Sequence, residues 1–204
     1  MFIVIEGPDG SGKTKAAEGL TAALTEAGVP VLLTGQPSGG AAGQLIGKIF
    51  RAMFDGDDEL AVHPDAVPWL FLADRVDHAR RAIAPRLAAG KTVVCDRYWH
   101  STYVYQGADG DWRWLKMLHA AADLPTPDVT FLLLPNPVTI MERRLARGDA
   151  PHKACLPRIK PYWDRYDRLQ RELYEDIVYV GADHAVDRVV EEMMAHLRTT
   201  GRLP

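Results

Sequence analysis

The sequence predicts an α/β fold in which a doubly wound, five-stranded parallel sheet is flanked by helices. Three observations lead to it. Gly7-Pro8-Asp9-Gly10-Ser11-Gly12-Lys13-Thr14 follows a short apolar run and opens a helical pattern, which is the strand, glycine-rich turn and helix of a phosphate-binding loop. Beyond it, short β-branched runs alternate with longer helical patterns, as in strands paired in parallel through helical crossovers. Residues 129–134 are apolar apart from Thr130 and carry no charge, as befits a strand covered on both faces.

In the first turn, glycines let successive backbone N–H groups face phosphate oxygens with no Cβ in the way, and the following helix turns its positive end to the same anion. Lys13 is spaced to reach the β- and γ-phosphates and Thr14 to face Mg²⁺. Gly7, Gly10, Ser11, Gly12, Lys13 and Thr14 therefore make an ATP-binding set. Ala16, Leu20, Ala23, Leu24 and Ala27 recur at helical spacing up to Gly28, predicting a helix with a glycine stop. Residues 29–34 predict the second strand, and Gly35-Gln36-Pro37-Ser38 a loop that continues neither element. A loop at that strand end is where open α/β sheets place ligand contacts.

A helix is expected over residues 42–54, then a solvated acidic connector at 55–59. Residues 64–89 form the longest helical pattern, with a broad apolar face running from Val67 through Phe71 to Leu87 and a kink at Pro85. The third strand is expected at 92–95, the fourth at 129–134 and the fifth at 177–180. Arginine and lysine crowd residues 143–160, and helices follow over 162–176 and 187–197. No repeat, low-complexity tract or linker divides the chain, so residues 1–204 read as a single domain.

At 204 residues, with 47% apolar and 25% charged residues, the composition is that of a globular protein with one core. A net charge of −3 argues against a broad nucleic-acid or membrane footprint. Cys95 and Cys155 lack metal-ligand spacing and read as free thiols in a reducing cytosol. Glu6 interrupts the first apolar run, so neither a signal peptide nor a membrane span is expected there. His78, His100 and His119 show no metal spacing and read as structural or surface residues.

A phosphate loop that holds Mg²⁺ through its hydroxyl needs an acid nearby, and Asp96 at the end of the third strand fits. Arg97 beside it offers a planar fork for a phosphate. Read alone, the pair is equally a local salt bridge. The order Phe71-Leu72-Ala73-Asp74-Arg75, then Asp96-Arg97-Tyr98, then Ser101-Thr102-Tyr103-Val104-Tyr105-Gln106-Gly107 resembles the thymidylate kinases in residue type and spacing. The resemblance covers nearly the whole chain and is strongest over residues 1–14 and 70–107.

That resemblance implies a nucleoside monophosphate kinase of the P-loop kinase fold, with a small lid at about 148–160. It implies ATP as donor, Mg²⁺, conversion of dTMP to dTDP, a homodimer, and cytoplasmic residence without membrane or stable nucleic-acid partners. Asp9 would hold the sugar 3′-hydroxyl, Phe71 would stack on the pyrimidine, Arg75 would donate to a base carbonyl and Arg97 would grip the acceptor phosphate. Ser101, Thr102 and Gln106 would line the base, and Tyr105 would exclude a 2′-hydroxyl. Arg143 and Arg147, before Gly148, match the R-x-x-x-R-G start of the lid, which completes a catalytic set of Lys13, Asp96, Arg97, Arg143 and Arg147. By base rate alone Phe71 would be a core residue and Arg75 a solvated helical arginine.

Two departures stand out. His152 takes the place of an arginine common in bacterial lids, with Lys153, Arg158 or Lys160 as substitutes. Gly35-Gln36 stands where the family usually has Arg-Glu, so a phosphate-gripping cation and a carboxylate are both absent. Gln36 can position an acceptor but cannot serve as a general base. Phosphorylation of another or modified deoxypyrimidine monophosphate is therefore the rival reading, and a non-catalytic ATP-binding module is the rival from a different class.

Overall fold

A computed structural model describes residues 1–55, 62–107, 113–173 and 177–203. The strands β1 (Phe2–Glu6), β2 (Val31–Gly35), β3 (Thr92–Asp96), β4 (Val129–Leu133) and β5 (Ile177–Val180) pair in parallel in the order β2-β3-β1-β4-β5. All five strands expected from the sequence are present. In register, Ile5 lies beside Asp96 and Gly35 beside Asp96 as well, so the carboxyl ends of β1, β2 and β3 converge. An open parallel sheet builds its crevice at such ends.

Alternation along β1 sends Ile3 and Ile5 to one face and Phe2 and Val4 to the other. The first face packs on Leu20 and Leu24 of α1 (Lys13–Glu26) and on Met193 and Leu197 of α9 (Val186–Thr199). The second packs on Ile83, on Tyr98 and Tyr103 around α5 (Trp99–Gln106), and on Tyr166 and Leu169 of α8 (Leu156–Leu173). Among the described residues, no helix is long and apolar enough to cross a membrane. Cys95 is buried and Cys155 partly so, and both are free thiols.

Several expectations need correction. Gly35 does continue a strand, as the last residue of β2, and a Cβ there would approach the Asp96 carbonyl oxygen to 3.1 Å. The expected helix at 42–54 is α2 (Ala41–Asp55). The acidic connector lies, apart from Asp55, outside the described residues. The long pattern at 64–89 is not one kinked helix: a 3-10 turn at Pro64–Ala66 leads into α3 (Val67–His78), a π segment (Ala79–Ile83) and α4 (Ala84–Ala88). Pro85 cannot donate to the preceding turn and its ring crowds that turn's carbonyl, and the wider π turn just before it makes room.

The buried side of α3 also differs from the apolar face expected. Asp74, Arg75 and His78 are buried on it, while Ala73 is exposed. Helix α8 begins six residues earlier than expected and runs through Pro161, so the second part of the 148–160 stretch is helical. The helices α5, α6 (Arg113–Ala121) and α7 (Pro137–Ala146) complete the order. Each is too short, or too interrupted by polar residues, to give a clear period in the sequence.

Candidate active site

The turn after β1 is held open by backbone that only glycine tolerates. Gly7 has φ 148° and a Cβ there would lie 2.2 Å from the Leu133 carbonyl oxygen, while Gly12 caps α1 with φ 97°. No side chain caps α1, so its first N–H groups remain available to an anion. Lys13 is buried with its Nζ donating to the Pro8 carbonyl at 2.9 Å. Burial, with Arg97 nearby, pulls its pKa down to about 8.

Two clefts open on either side of this loop. One, of about 790 Å³, is bordered by Gly10, Ser11, Gly12, Lys13 and Thr14, by Arg143 and Arg147 of and after α7, and by Ala185 and Val186 at the start of α9. The other, of about 290 Å³, is bordered by Phe71, Ser101, Thr102, Tyr105 and Gln106. Asp9 and Arg97 border both. Gly7 borders neither cleft, and Asp96 borders the larger one.

Arg97 is the junction. Its backbone adopts φ 69°, a left-handed conformation costly for a residue with a Cβ, and its N–H donates to the Ile5 carbonyl at 2.9 Å. The guanidinium pairs with Asp9, donates to Ser101 Oγ at 2.8 Å and lies 5.5 Å from the centre of the Tyr105 ring. Desolvation opposes the charged form of Asp9, but Arg97, Lys13, Arg144 and Arg147 outweigh it and hold its pKa below the usual carboxylate range.

Asp96 accepts from Thr14 Oγ1 at 2.6 Å through Oδ2, while its buried Oδ1 has no hydrogen-bond partner among the described residues. Ser11 Oγ is likewise buried without a partner. An orphaned carboxylate oxygen beside a loop hydroxyl is a donor set suited to Mg²⁺, whose remaining ligands are characteristically water and phosphate oxygens. Among the described residues, no group of three His, Cys, Asp or Glu side chains could hold a metal alone.

At the end of α7, Arg143 donates to the Ser11 carbonyl at 3.1 Å, and Arg147 is paired with Asp149 at 2.9 Å. Lys153, Arg158 and Lys160 are exposed and border neither cleft; Lys160 pairs with Asp164 at 2.7 Å.

Gln36 and Arg75 lie behind the smaller cleft rather than on its surface. Arg75 is 1% exposed; its Nε donates to Gln36 Oε1 at 2.8 Å and its Nη2 to Thr102 Oγ1 at 2.9 Å. Burial lowers its pKa to about 10, so the guanidinium stays charged at neutral pH. Phe71 does face the cleft, with its ring edge-on to Phe50 of α2 at 5.9 Å.

Sequence reasoning missed Glu6. It is wholly buried, and its Oε1 accepts from the N–H groups of Tyr98 (2.8 Å) and Ser101 (3.1 Å), capping α5, while Oε2 accepts from Ser101 Oγ and Tyr166 OH. The only signal was an acid ending a buried strand next to the loop. Nothing local pointed to Phe50, Tyr166 or His119, which meet the site only through tertiary packing.

A family model described as thymidylate kinase matches residues 5–193. A probable thymidylate kinase from Pyrococcus abyssi is 35% identical over 208 residues, covering 95% of this chain and 94% of that protein. One from Pyrococcus horikoshii is 37% identical over 84% of this chain and 78% of its own length. The thymidylate kinase of Xanthomonas campestris pv. campestris is 41% identical over 84% of this chain and 68% of its own length.

Proposed function

The chain belongs to the thymidylate kinase family, and from that premise we propose that it transfers the γ-phosphoryl group of ATP to the 5′-phosphate of dTMP, giving dTDP and ADP. One observation carries the reading: two clefts, one on the phosphate loop and one on Phe71, meet at Asp9 and Arg97. That geometry suits two phosphorylated ligands approaching each other end to end across a shared guanidinium.

In this reading the triphosphate lies against Gly10–Thr14 and the first turn of α1, with Lys13 and Arg143 on the transferring group and Arg147 at the mouth. The acceptor's base lies against Phe71 with Thr102 and Gln106 at its edge, its sugar lies near Asp9 and Tyr105, and its phosphate reaches Arg97. A phosphate oxygen is already an anion, so the attack needs positioning and charge stabilisation more than a base. Gln36 in place of a carboxylate is consistent with that. Thr14 and Asp96 would hold Mg²⁺, which when bound supplies charge neutralisation to the β- and γ-phosphates. The lid is taken as about 148–160 within one kinase domain, and the free thiols support a cytosolic setting.

Measuring ADP release across dTMP, dUMP, dCMP and UMP tests the assignment. Turnover that depends on an acceptor and favours dTMP is expected. ATP hydrolysis indifferent to acceptor, or preference for another base, would defeat it. A homodimer is part of the proposal, supported by Trp69 (54% exposed) and Met117 (71% exposed), large apolar groups left on α3 and α6. Sedimentation at the monomer mass of 22.6 kDa at micromolar concentration would remove it.

The depressed pKa of Lys13 predicts a pH dependence. In the free protein the ammonium loses its proton above about pH 8, whereas bound phosphates favour the charged form and restore it. ATP affinity is therefore expected to fall as pH rises through that value, approaching about tenfold per unit, with uptake of a proton on binding. Calorimetry in two buffers of different ionisation enthalpy reads the proton directly. Affinity flat between pH 7 and about 9.5 would show that Lys13 stays charged in the free protein.

A further inference from the structure

Arg75 is a buried guanidinium whose described hydrogen-bond partners are all neutral. Besides Gln36 and Thr102 it donates to the Tyr98 carbonyl at 3.2 Å and meets His119 Nε2 at 2.5 Å. Arginine has only donors, so His119 Nε2 must be an acceptor without a proton. The other ring nitrogen agrees: Nδ1 lies 2.7 Å from the Leu115 carbonyl, which can only accept. The imidazole is thus held as the neutral Nδ1–H tautomer from both sides. Burial and the neighbouring Arg75 charge pull its pKa down to about 4, so it remains an acceptor across the neutral range.

Gln36 turns its carbonyl to Arg75, so its amide faces His78 Nδ1 at 3.2 Å, and His78 Nε2 is left to donate to Thr34 Oγ1 at 2.7 Å. A line of oriented groups therefore joins β2, α3 and α6, and Arg75 is its centre. From that centre Nη2 reaches Thr102, which borders the smaller cleft, while Phe71, one turn earlier on α3, borders it too. Gln36 on Nε and the Tyr98 carbonyl on Nη2 fix two edges of the guanidinium, and what holds Nη1 completes its orientation and with it the hydroxyl edge presented to the cleft. Among the described residues that is His119.

We propose that His119 is a positioning residue for the acceptor, fixing Arg75 against Thr102 and so tuning which base the cleft prefers. This rests on the reading that the cleft holds a pyrimidine nucleotide. His119 touches no ligand in this scheme and acts through Arg75. Removing its acceptor leaves a buried N–H of a charged group unpaired, and the guanidinium reorients to satisfy it.

The test is steady-state kinetics of His119→Ala and His119→Gln, with dTMP and ATP varied separately and dCMP as competitor, alongside nitrogen NMR of the wild-type imidazole. His119→Ala is expected to raise the KM for dTMP about tenfold and narrow the preference for dTMP over dCMP, with the KM for ATP within about twofold. Glutamine, whose carbonyl can accept from Nη1, should recover most of both. Wild-type His119 should show the Nδ1–H tautomer at neutral pH. The proposal is overturned if folded His119→Ala keeps the wild-type KM and preference for dTMP, if both KM values move together without rescue by glutamine, or if the wild-type ring carries its proton on Nε2. A wild-type protein inactive on dTMP would overturn the kinase reading, and this proposal with it; an active wild type with an indifferent alanine variant overturns this proposal alone.

Discussion

Lys13→Met is expected to lower kcat about a thousandfold while dTMP affinity stays within about twofold, because in the proposed mechanism the ammonium meets the transferring phosphoryl group and acts most in the transition state. Methionine keeps the unbranched stem that fills the buried space and removes only the charge. The same substitution should raise thermal stability. Burial and the nearby Arg97 both disfavour the ammonium in the free protein, so its removal relieves a cost, and a gain of about 1 kcal/mol would raise Tm by about 2–4 °C in a chain of this size. Steady-state kinetics, dTMP calorimetry and a melting curve check the three parts together. Weaker ATP binding is expected in the same variant, as at high pH; if kcat nevertheless stayed intact, Lys13 would be a ground-state anchor alone and the transfer role given above would be wrong.

Arg97→Ala is expected to reduce kcat/KM for dTMP by about a thousandfold, through loss of a charge-assisted fork at the place where the two clefts meet. Asp9 loses its partner and Ser101 its donor in the same variant, so acceptor binding and positioning fail together. Arg97→Lys separates charge from geometry. A lysine at this position keeps a cation but cannot span two oxygens, and it is expected to recover only about a tenth to a hundredth of the lost activity. Full activity in the lysine variant would mean that a point charge suffices and that the left-handed backbone at Arg97 serves no fork.

The difference between these two residues in the sequence is instructive. Lys13 is legible from eight consecutive positions, because glycines at Gly7 and Gly12 dictate a backbone that only one kind of turn needs. Asp96 and Arg97 are legible because a β-branched run ends on them, and the end of a parallel strand is where ligands gather. Phe71 and Arg75 depended on family resemblance, and the structure divides them: the ring borders the cleft and the guanidinium lies behind it. Gln36 looked like a weakened ligand contact, yet its carbonyl is directed to Arg75 and its amide to His78.

Strand order in the chain, the phosphate loop and its helix, and the acid and arginine closing β3 follow from local pattern alone, since periodicity and φ-permissive residues act within a few positions. Folding in three dimensions decided the rest. Glu6 became the cap of α5, His119 the partner of a residue 44 positions away, and the apolar face expected over residues 64–89 kept Val67, Ala79 and Ile83 in the core but buried Asp74, Arg75 and His78 beside them. The reason is physical: a buried polar side chain must find a partner, and which partner it finds depends on elements that share no neighbourhood until the sheet has assembled.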